Sequence, residues 1–366
     1  MGAAFAGRAG LQQRVLPVYR RAFFELLGRT CEGGLSVFAG KPRPGEAIRS
    51  AEILEGAELV RGRNLHLLSG AGYLCYQIGL REWLERWSPD VLILEANPRY
   101  LSSGAAVRWM HRRGRPVIGW GLGVPQANGL LRGLRRRLRR RFILQFDALL
   151  TYSEQGAAEY ISLGASPERT FVAANAVSPR PGPAPVRDPL GGRPGRILYV
   201  GRLQARKRVD LLFEACSRLP EEPELRIVGD GPDRPRLEAL AADLCPQARF
   251  AGALFGEELQ ASFAWADVFV LPGTGGLAVQ EAMANGLAVI VARGDGTQRD
   301  LVADENGWLL PADNLESLTA ALKEAFADPE RLLAMGARSH RLAVERFNIE
   351  SMAETFVQAM NNVVGT

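Results

Sequence analysis

The feature that most constrains this chain is an alternation, met twice, of short near-continuous apolar runs with longer amphipathic stretches. In the first half the runs are LSVFA (35–39), VLILE (91–95), PVIGW (116–120), ALLTY (148–152) and TFVAA (170–174). Helix-like segments such as YLCYQIGLREWLERW and SSGAAVRWMHRR lie between them. Strands apolar at nearly every position are buried on both faces, and intervening helices supply the cover, so the pattern predicts a parallel sheet. PRPGPAPVRDPLGGRPG, residues 179–195, has almost nothing to bury and reads as a linker. The alternation then restarts with RILYVG, LRIVG, ARFAG, ADVFVLP and LAVIVA, and residues 315–364 are mostly helical in pattern. The expected architecture is α/β: two doubly wound, Rossmann-like domains facing each other, residues 1–178 and 196–345.

Several classes are disfavoured. The four cysteines (Cys31, Cys75, Cys216 and Cys245) are far apart, and the three histidines (His66, His111 and His340) are dispersed. Neither a disulfide framework nor a metal centre is expected, and a reducing, cytoplasmic compartment fits. No apolar stretch approaches the ~20 residues of a membrane span. The start, MGAAFAGRAGLQQR, lacks the pattern of a signal peptide.

Open α/β sheets bind ligands where strands end and helices begin. Three such junctions occur in the second half. RILYVGRLQARKR places Gly201 and Arg202 just past a strand, with Lys207 five residues on. LRIVGDGPD places Gly229, Asp230 and Gly231 after the next strand, and VFVLPGTGGLAVQEAMA opens a helix with Gly275, Gly276 and Leu277. Bare glycines let backbone amides approach an anion, and the helix dipole adds attraction. Arg202 and Lys207 would add full charge. Glu281, about a turn and a half into the helix, could accept hydrogen bonds from vicinal hydroxyls such as those of a ribose. The bareness suits a diphosphate and the acid suits a sugar.

Taken in order, GRL-xxx-K, VGDGP, an FAG stretch, G-G-L-x-V-x-E-A-M-A and NGWLLP resemble the retaining GT-B glycosyltransferases of the glycogen-synthase-like, GT4 type. The resemblance is strongest over residues 196–311. LPVYRRAFFELL is similar to that family's early helix, and RFNIESMAETF to the closing helix, which crosses back to the first domain over about residues 346–366. It implies a cleft between the domains and transfer of a sugar from a nucleoside diphosphate sugar to a hydroxyl, without a metal or other cofactor. Arg202 and Lys207 would hold the diphosphate and stabilise its departure. Backbone around Gly276 and Leu277 would meet the phosphates, Glu281 would bind the ribose, and residues 250–254, ending at Leu254, would frame the base.

The sequence departs from the family pattern in three places. Gly273 stands where the first of two glutamates is expected, eight positions before Glu281. Trp120, Gly121 and Leu122 stand where a histidine commonly follows a first-domain strand. AFAGRAGLQQR is the one candidate for an N-terminal glycine-rich loop. A degenerate nucleotide-binding protein and a nucleotide-sugar 2-epimerase of the same fold therefore stay open beside the transferase.

Acceptor-side candidates come from the first domain. LILEANPRY leaves Glu95, Asn97 and Arg99 past a strand, Glu95 either as a sugar partner or as a local cap or ion pair. Trp120 is either a stacking wall or a core residue; Tyr152, Ser153 and Glu154 follow another strand end. The densest charge is GLLRGLRRRLRRRFILQF, residues 129–146, with Leu130, Leu131, Leu134, Leu138, Phe142 and Phe146 at helical spacing. This basic amphipathic helix either docks on an anionic membrane surface or packs its apolar stripe in the core. Nucleic acid is not expected, because no aromatic platform or base-reading motif accompanies the arginines.

Overall fold

The computed structural model describes residues 4–43, 45–46, 48–124, 132–188, 190–294 and 296–365. The chain divides into two compact units, one of Met1–Pro179 with Ile349–Thr366, the other of Arg180–Asn348.

The strands of the first unit are β1 (Ala9–Val15), β2 (Leu35–Gly40), β3 (Glu58–Arg61), β4 (Arg63–Leu67), β5 (Leu74–Ile78), β6 (Val91–Glu95), β7 (Val117–Gly121), β8 (Ala148–Thr151) and β9 (Thr170–Val172). Among the described residues they form a parallel seven-stranded sheet of order β3-β2-β1-β6-β7-β8-β9 and a separate antiparallel pair, β4-β5. The second unit has β10 (Arg196–Val200), β11 (Glu224–Val228), β12 (Arg249–Gly252), β13 (Val268–Leu271), β14 (Ala288–Ala292) and β15 (Gly307–Leu310). These are parallel in the order β12-β11-β10-β13-β14-β15, the doubly wound Rossmann order.

Helices α1 (Arg21–Thr30), α2 (Leu80–Trp87), α3 (Ser103–His111), α4 (Arg132–Ile143) and α5 (Glu154–Ser162) belong to the first unit. The second has α6 (Val209–Cys216), α7 (Arg234–Leu244), α8 (Gly256–Trp265), α9 (Leu277–Ala284), α10 (Gln298–Leu301), α11 (Leu315–Ala327) and α12 (Pro329–Glu345). The last helix, α13 (Ile349–Val364), returns to the first unit and packs on α1 and β8. Phe356 and Met360 of α13 are buried in one core with Phe23, Phe24 and Trp120. Local chemistry starts several helices: Asn314 caps α11 through the Ser317 amide, and Asp328 caps α12 through the Arg331 amide, with Pro329 at the first helical position.

Three sequence expectations change. AFAGRAGLQQR does not form a glycine-rich loop: Ala9–Val15 is β1, near the middle of the sheet. Its Gln12 and Gln13 are buried, which hides the strand from an apolar pattern. Gln12 is hydrogen-bonded to Gln77 and to the Glu95 amide. YLCYQIGLREWLERW is not one helix, because Leu74–Ile78 pairs with β4 and α2 begins only at Leu80, after Gly79 in the left-handed region (φ +89°). The proline-rich stretch is anchored to the second unit. Within it, Arg187 donates to the carbonyls of Ala266 (2.5 Å), Phe263 (2.8 Å) and Asn285 (2.8 Å).

Candidate functional site

In the second unit the strand order reverses between β10 and β13, so the connections leaving their carboxyl ends diverge and leave room for a ligand. Lys207, in the turn after β10, reaches the loop after β13 and donates from Nζ to the Thr274 carbonyl at 2.5 Å. Arg206 Nη1 donates to Thr274 Oγ1 at 2.9 Å, and the Thr274 amide donates to the Arg206 carbonyl at 3.2 Å. The bareness of the loop permits this approach. A Cβ on Gly273 would lie 2.4 Å from the Arg206 carbonyl oxygen, and one on Gly275 2.6 Å from Lys207 Nζ. Gly275 also has φ +147°, which favours glycine.

The loop leads into α9, with Gly276 as its N-cap and no side-chain cap. The first amides of a helix lack intrahelical acceptors and carry partial positive charge. Arg206 and Lys207 are thus held beside a helix start that no side chain caps. Arg202 is exposed and has no hydrogen bond or ion pair among the described residues. Glu281, the fifth residue of α9, is half-buried and its carboxylate has no hydrogen-bond partner or counter-ion among the described residues. Burial raises its pKa above the ordinary carboxylate value.

Sequence reasoning missed Gln298 and Arg206. Buried Gln298 donates from Nε2 to the Gly275 carbonyl at 2.7 Å and accepts from the Gly294 amide at 3.1 Å, tying together the loops after β13 and β14. Nothing in its local pattern separates it from an ordinary helix-start glutamine.

Gly229 and Gly231 serve packing. A Cβ on Gly229 would lie 1.9 Å from the Gly201 carbonyl oxygen, and one on Gly231 2.2 Å from that of Leu203. Their bareness lets two strand ends lie backbone against backbone. Asp230, exposed between them, accepts from the Gly231 amide at 2.7 Å. A Cβ on Gly201 would lie 2.8 Å from the Tyr199 hydroxyl, which is buried without a hydrogen bond among the described residues. Leu254 follows β12 and is half-buried.

In the first unit the order reverses between β1 and β6, and Glu95 closes β6 there. Its Oε2 accepts from the Arg14 amide at 2.5 Å. Burial pushes its pKa up to about 7, against the pull of Arg14 and Arg20. Arg20 lies 5.1 Å above the Trp120 ring centroid and donates from Nη2 to Asn175 Oδ1 at 2.9 Å. Its Nη1 is buried without a hydrogen bond among the described residues. Asn97 stabilises its own turn, accepting from the Arg99 amide at 3.1 Å.

Trp120 is not a stacking wall. It is 1% exposed and packed edge-on against Phe24 and Phe356, because the strand-end position faces the core under α1 and α13. Ser153 is the N-cap of α5, accepting from the Gly156 amide at 3.1 Å. The basic segment is helical over Arg132–Ile143; Gly129, Leu130 and Leu131 lie outside the described residues. Ile143 at its end is buried beside Phe142 and Phe146, but Leu134 and Leu138 are 55% and 60% exposed. Among the described residues, only the last turn of the apolar stripe enters the core.

Two parallel doubly wound sheets, covered by helices and in this strand order, define a protein of the GT-B glycosyltransferase fold. The family described as "Glycosyl transferases group 1" matches residues 194–328, and "Glycosyl transferase 4-like domain" matches residues 30–176. The chain belongs to the GT4-like GT-B glycosyltransferases built from these two domains. A GDP-mannose-dependent alpha-mannosyltransferase of Mycolicibacterium smegmatis is 43% identical over 38% of this chain and 36% of its own length. A sulfoquinovosyl transferase of Arabidopsis thaliana is 33% identical over 42% of this chain and 30% of its own. The chain thus spans about a third of the length of these two relatives. Among solved structures, Anabaena HepE with UDP superimposes with a TM-score of 0.72 at 16% identity, covering 97% of this chain and 99% of that one. The lipopolysaccharide outer core galactosyltransferase WaaB gives a TM-score of 0.72 at 20% identity, covering 97% and 99%. At these identities the likeness is one of fold.

Proposed function

We propose that this chain is a retaining glycosyltransferase that moves a hexose from a nucleoside diphosphate sugar to a hydroxyl of a glycan, a lipid-linked glycan or a small molecule. The observation that carries this reading is the carboxylate of Glu281, without a partner among the described residues, behind a glycine loop fixed by Lys207. A diphosphate on the α9 amides would be met by Lys207, Arg206 and Arg202, and the ribose of the same nucleotide by Glu281. Leu254 would lie against the base.

In the reaction, the bond between the anomeric carbon and the diphosphate oxygen breaks and the acceptor oxygen bonds to that carbon on the same face. The acceptor proton ends on the departing diphosphate. The residues named provide fixed positive charge where negative charge develops, the electrostatic task for which preorganised donors serve best. No metal or cofactor is called on. In the first unit Glu95 and Asn97 are the acceptor-side candidates, and Arg20 joins them through its spare Nη1.

One of the two relatives described above is GDP-mannose-dependent by name, and one of the two structures described above carries UDP, so GDP and UDP are the first nucleotides to try. Calorimetric titration with GDP, UDP, ADP, CDP and dTDP, followed by their sugar conjugates, tests the reading. Selective binding that Glu281→Ala abolishes without unfolding supports it; no binding by any nucleotide overturns it.

We also place the protein on the inner, cytoplasmic face of the cell membrane. The support is α4, whose exposed Leu134 and Leu138 stand among arginines, and such a helix binds anionic bilayers through both groups. Leu134→Ser with Leu138→Ser should lower vesicle binding while leaving the melting temperature unchanged.

A further inference from the structure

The first unit carries a second cationic surface, built from residues outside α4. A cavity of about 690 Å3 opens between β5 and helices α2 and α3. Its apolar wall is formed by Tyr76, Ile78, Leu80 and Trp109, and Arg81, Arg108, Arg112 and Arg113 line it with Glu82 as the one carboxylate among them.

The arginines are not equivalent. Arg81 reaches Glu85 at 2.9 Å, and Arg113 lies 3.8 Å above the Trp109 ring. Arg108 and Arg112 are one helical turn apart, exposed, and make no side-chain hydrogen bond or ion pair among the described residues. Positive charge is favoured in the last turn of any helix, and that accounts for two arginines near the end of α3. It does not account for the apolar surface that continues from the cavity.

That surface is the outer face of β4 and β5. Leu65 pairs with Tyr76 and Arg63 with Ile78, while the alternate residues Cys75 and Gln77 are buried. The period of two puts Leu65, Leu67, Tyr76 and Ile78 on the open side, with Leu67 44% and Tyr76 45% exposed. Exposed Leu68 follows at the end of β4, in the left-handed region (φ +59°).

From this juxtaposition we infer that the cavity and the open hairpin face together dock an anionic phospholipid of a bilayer. The phosphate sits on Arg108 and Arg112, and the acyl region lies along Ile78, Tyr76, Leu65 and Leu67. A second copy of this chain is the poorer occupant, because a two-fold contact places a patch against itself and would set these arginines against their own copies. The inference goes beyond the transferase reading, since none of these residues belongs to the donor site.

The test uses the full chain with α4 intact, sedimented with vesicles of phosphatidylcholine alone or mixed with phosphatidylglycerol. Arg108→Gln with Arg112→Gln should weaken binding to the phosphatidylglycerol vesicles by about tenfold or more. Arg108→Lys with Arg112→Lys should retain it. Leu67→Ser with Tyr76→Ser should weaken it as well, and unchanged melting temperatures and nucleotide titrations would show that fold and donor site are intact. Wild-type affinity in the double glutamine variant overturns the inference, whether or not the chain proves to be a transferase. So does a dimer, seen by light scattering, that the double serine variant dissociates.

Discussion

Gln298 Nε2 lies 2.7 Å from the carbonyl oxygen of Gly275, so a side chain from one loop fixes the backbone of another at the start of α9. The same amide group accepts from Gly294, and both bonds are lost together in Gln298→Ala. That variant should lose about 1–3 kcal/mol of stability in denaturant unfolding, since buried backbone groups would be left unpaired. Nucleotide affinity should fall too, because the amides proposed to meet the phosphates would no longer be held in place. A variant that unfolds at wild-type denaturant concentration would show the bridge to be dispensable.

Glu281→Gln separates binding from folding. The folded protein holds this acid above its ordinary pKa by burial. A raised carboxylate costs stability once pH exceeds its unfolded value, so removing the charge should leave the protein as stable as wild type or slightly more so at pH 8. Nucleotide affinity should drop about tenfold, corresponding to roughly 1.4 kcal/mol of lost hydrogen bonding. Thermal melting and calorimetric titration on one sample would decide it.

Glu95 predicts a pH dependence. Its folded pKa is about 7 against an unfolded 4.5. Below the unfolded value both states hold the proton and the group contributes nothing. Between the two values only the folded state holds it, so stability falls as pH rises, and the deficit is complete above the folded value. Glu95→Gln should therefore gain on wild type between pH 4 and pH 8 by about 1–3 kcal/mol, following from ~1.4 kcal/mol per unit. Parallel curves across that range would contradict the assignment.

Trp120→Ala should behave as a core lesion. With the ring closed in by Phe23, Phe24, Tyr152 and Phe356, truncation should cost about 3–5 kcal/mol. Trp120→Phe should cost far less, since it also removes an indole N–H that is buried without an acceptor among the described residues. Acceptor specificity in Trp120→Phe should match wild type.

The legible parts of the chain were those where one period governs many residues. β13 and β14 are unbroken apolar runs, β6 and β10 are apolar but for Glu95 and Arg196 at one end, and each emerged where the pattern put it. β1 was illegible because its glutamines are buried in a hydrogen-bonded network with Gln77 and Glu95, and such a network has no period. β5 was absorbed into a helix because a single glycine divides it from α2. At the candidate site, Lys207, Gly275 and Glu281 could be found because their chemistry is local to strand–helix junctions. Gln298 could not, since its role depends on a loop twenty-three residues earlier in the chain coming within reach.

The return of α13 to the first unit fixes an order of events during synthesis. All of the second unit, Arg180–Asn348, is contiguous and can fold as soon as it clears the ribosome. The first unit cannot: Phe356 and Met360, from the sixteen residues of α13, fill the core between Phe23, Phe24 and Trp120. The half of the molecule made first is completed last, and until then the apolar surface around Phe23, Phe24 and Trp120 waits for its cover. A premature stop near residue 348 would spare the later half and strand the earlier one, leaving it to chaperones and proteases.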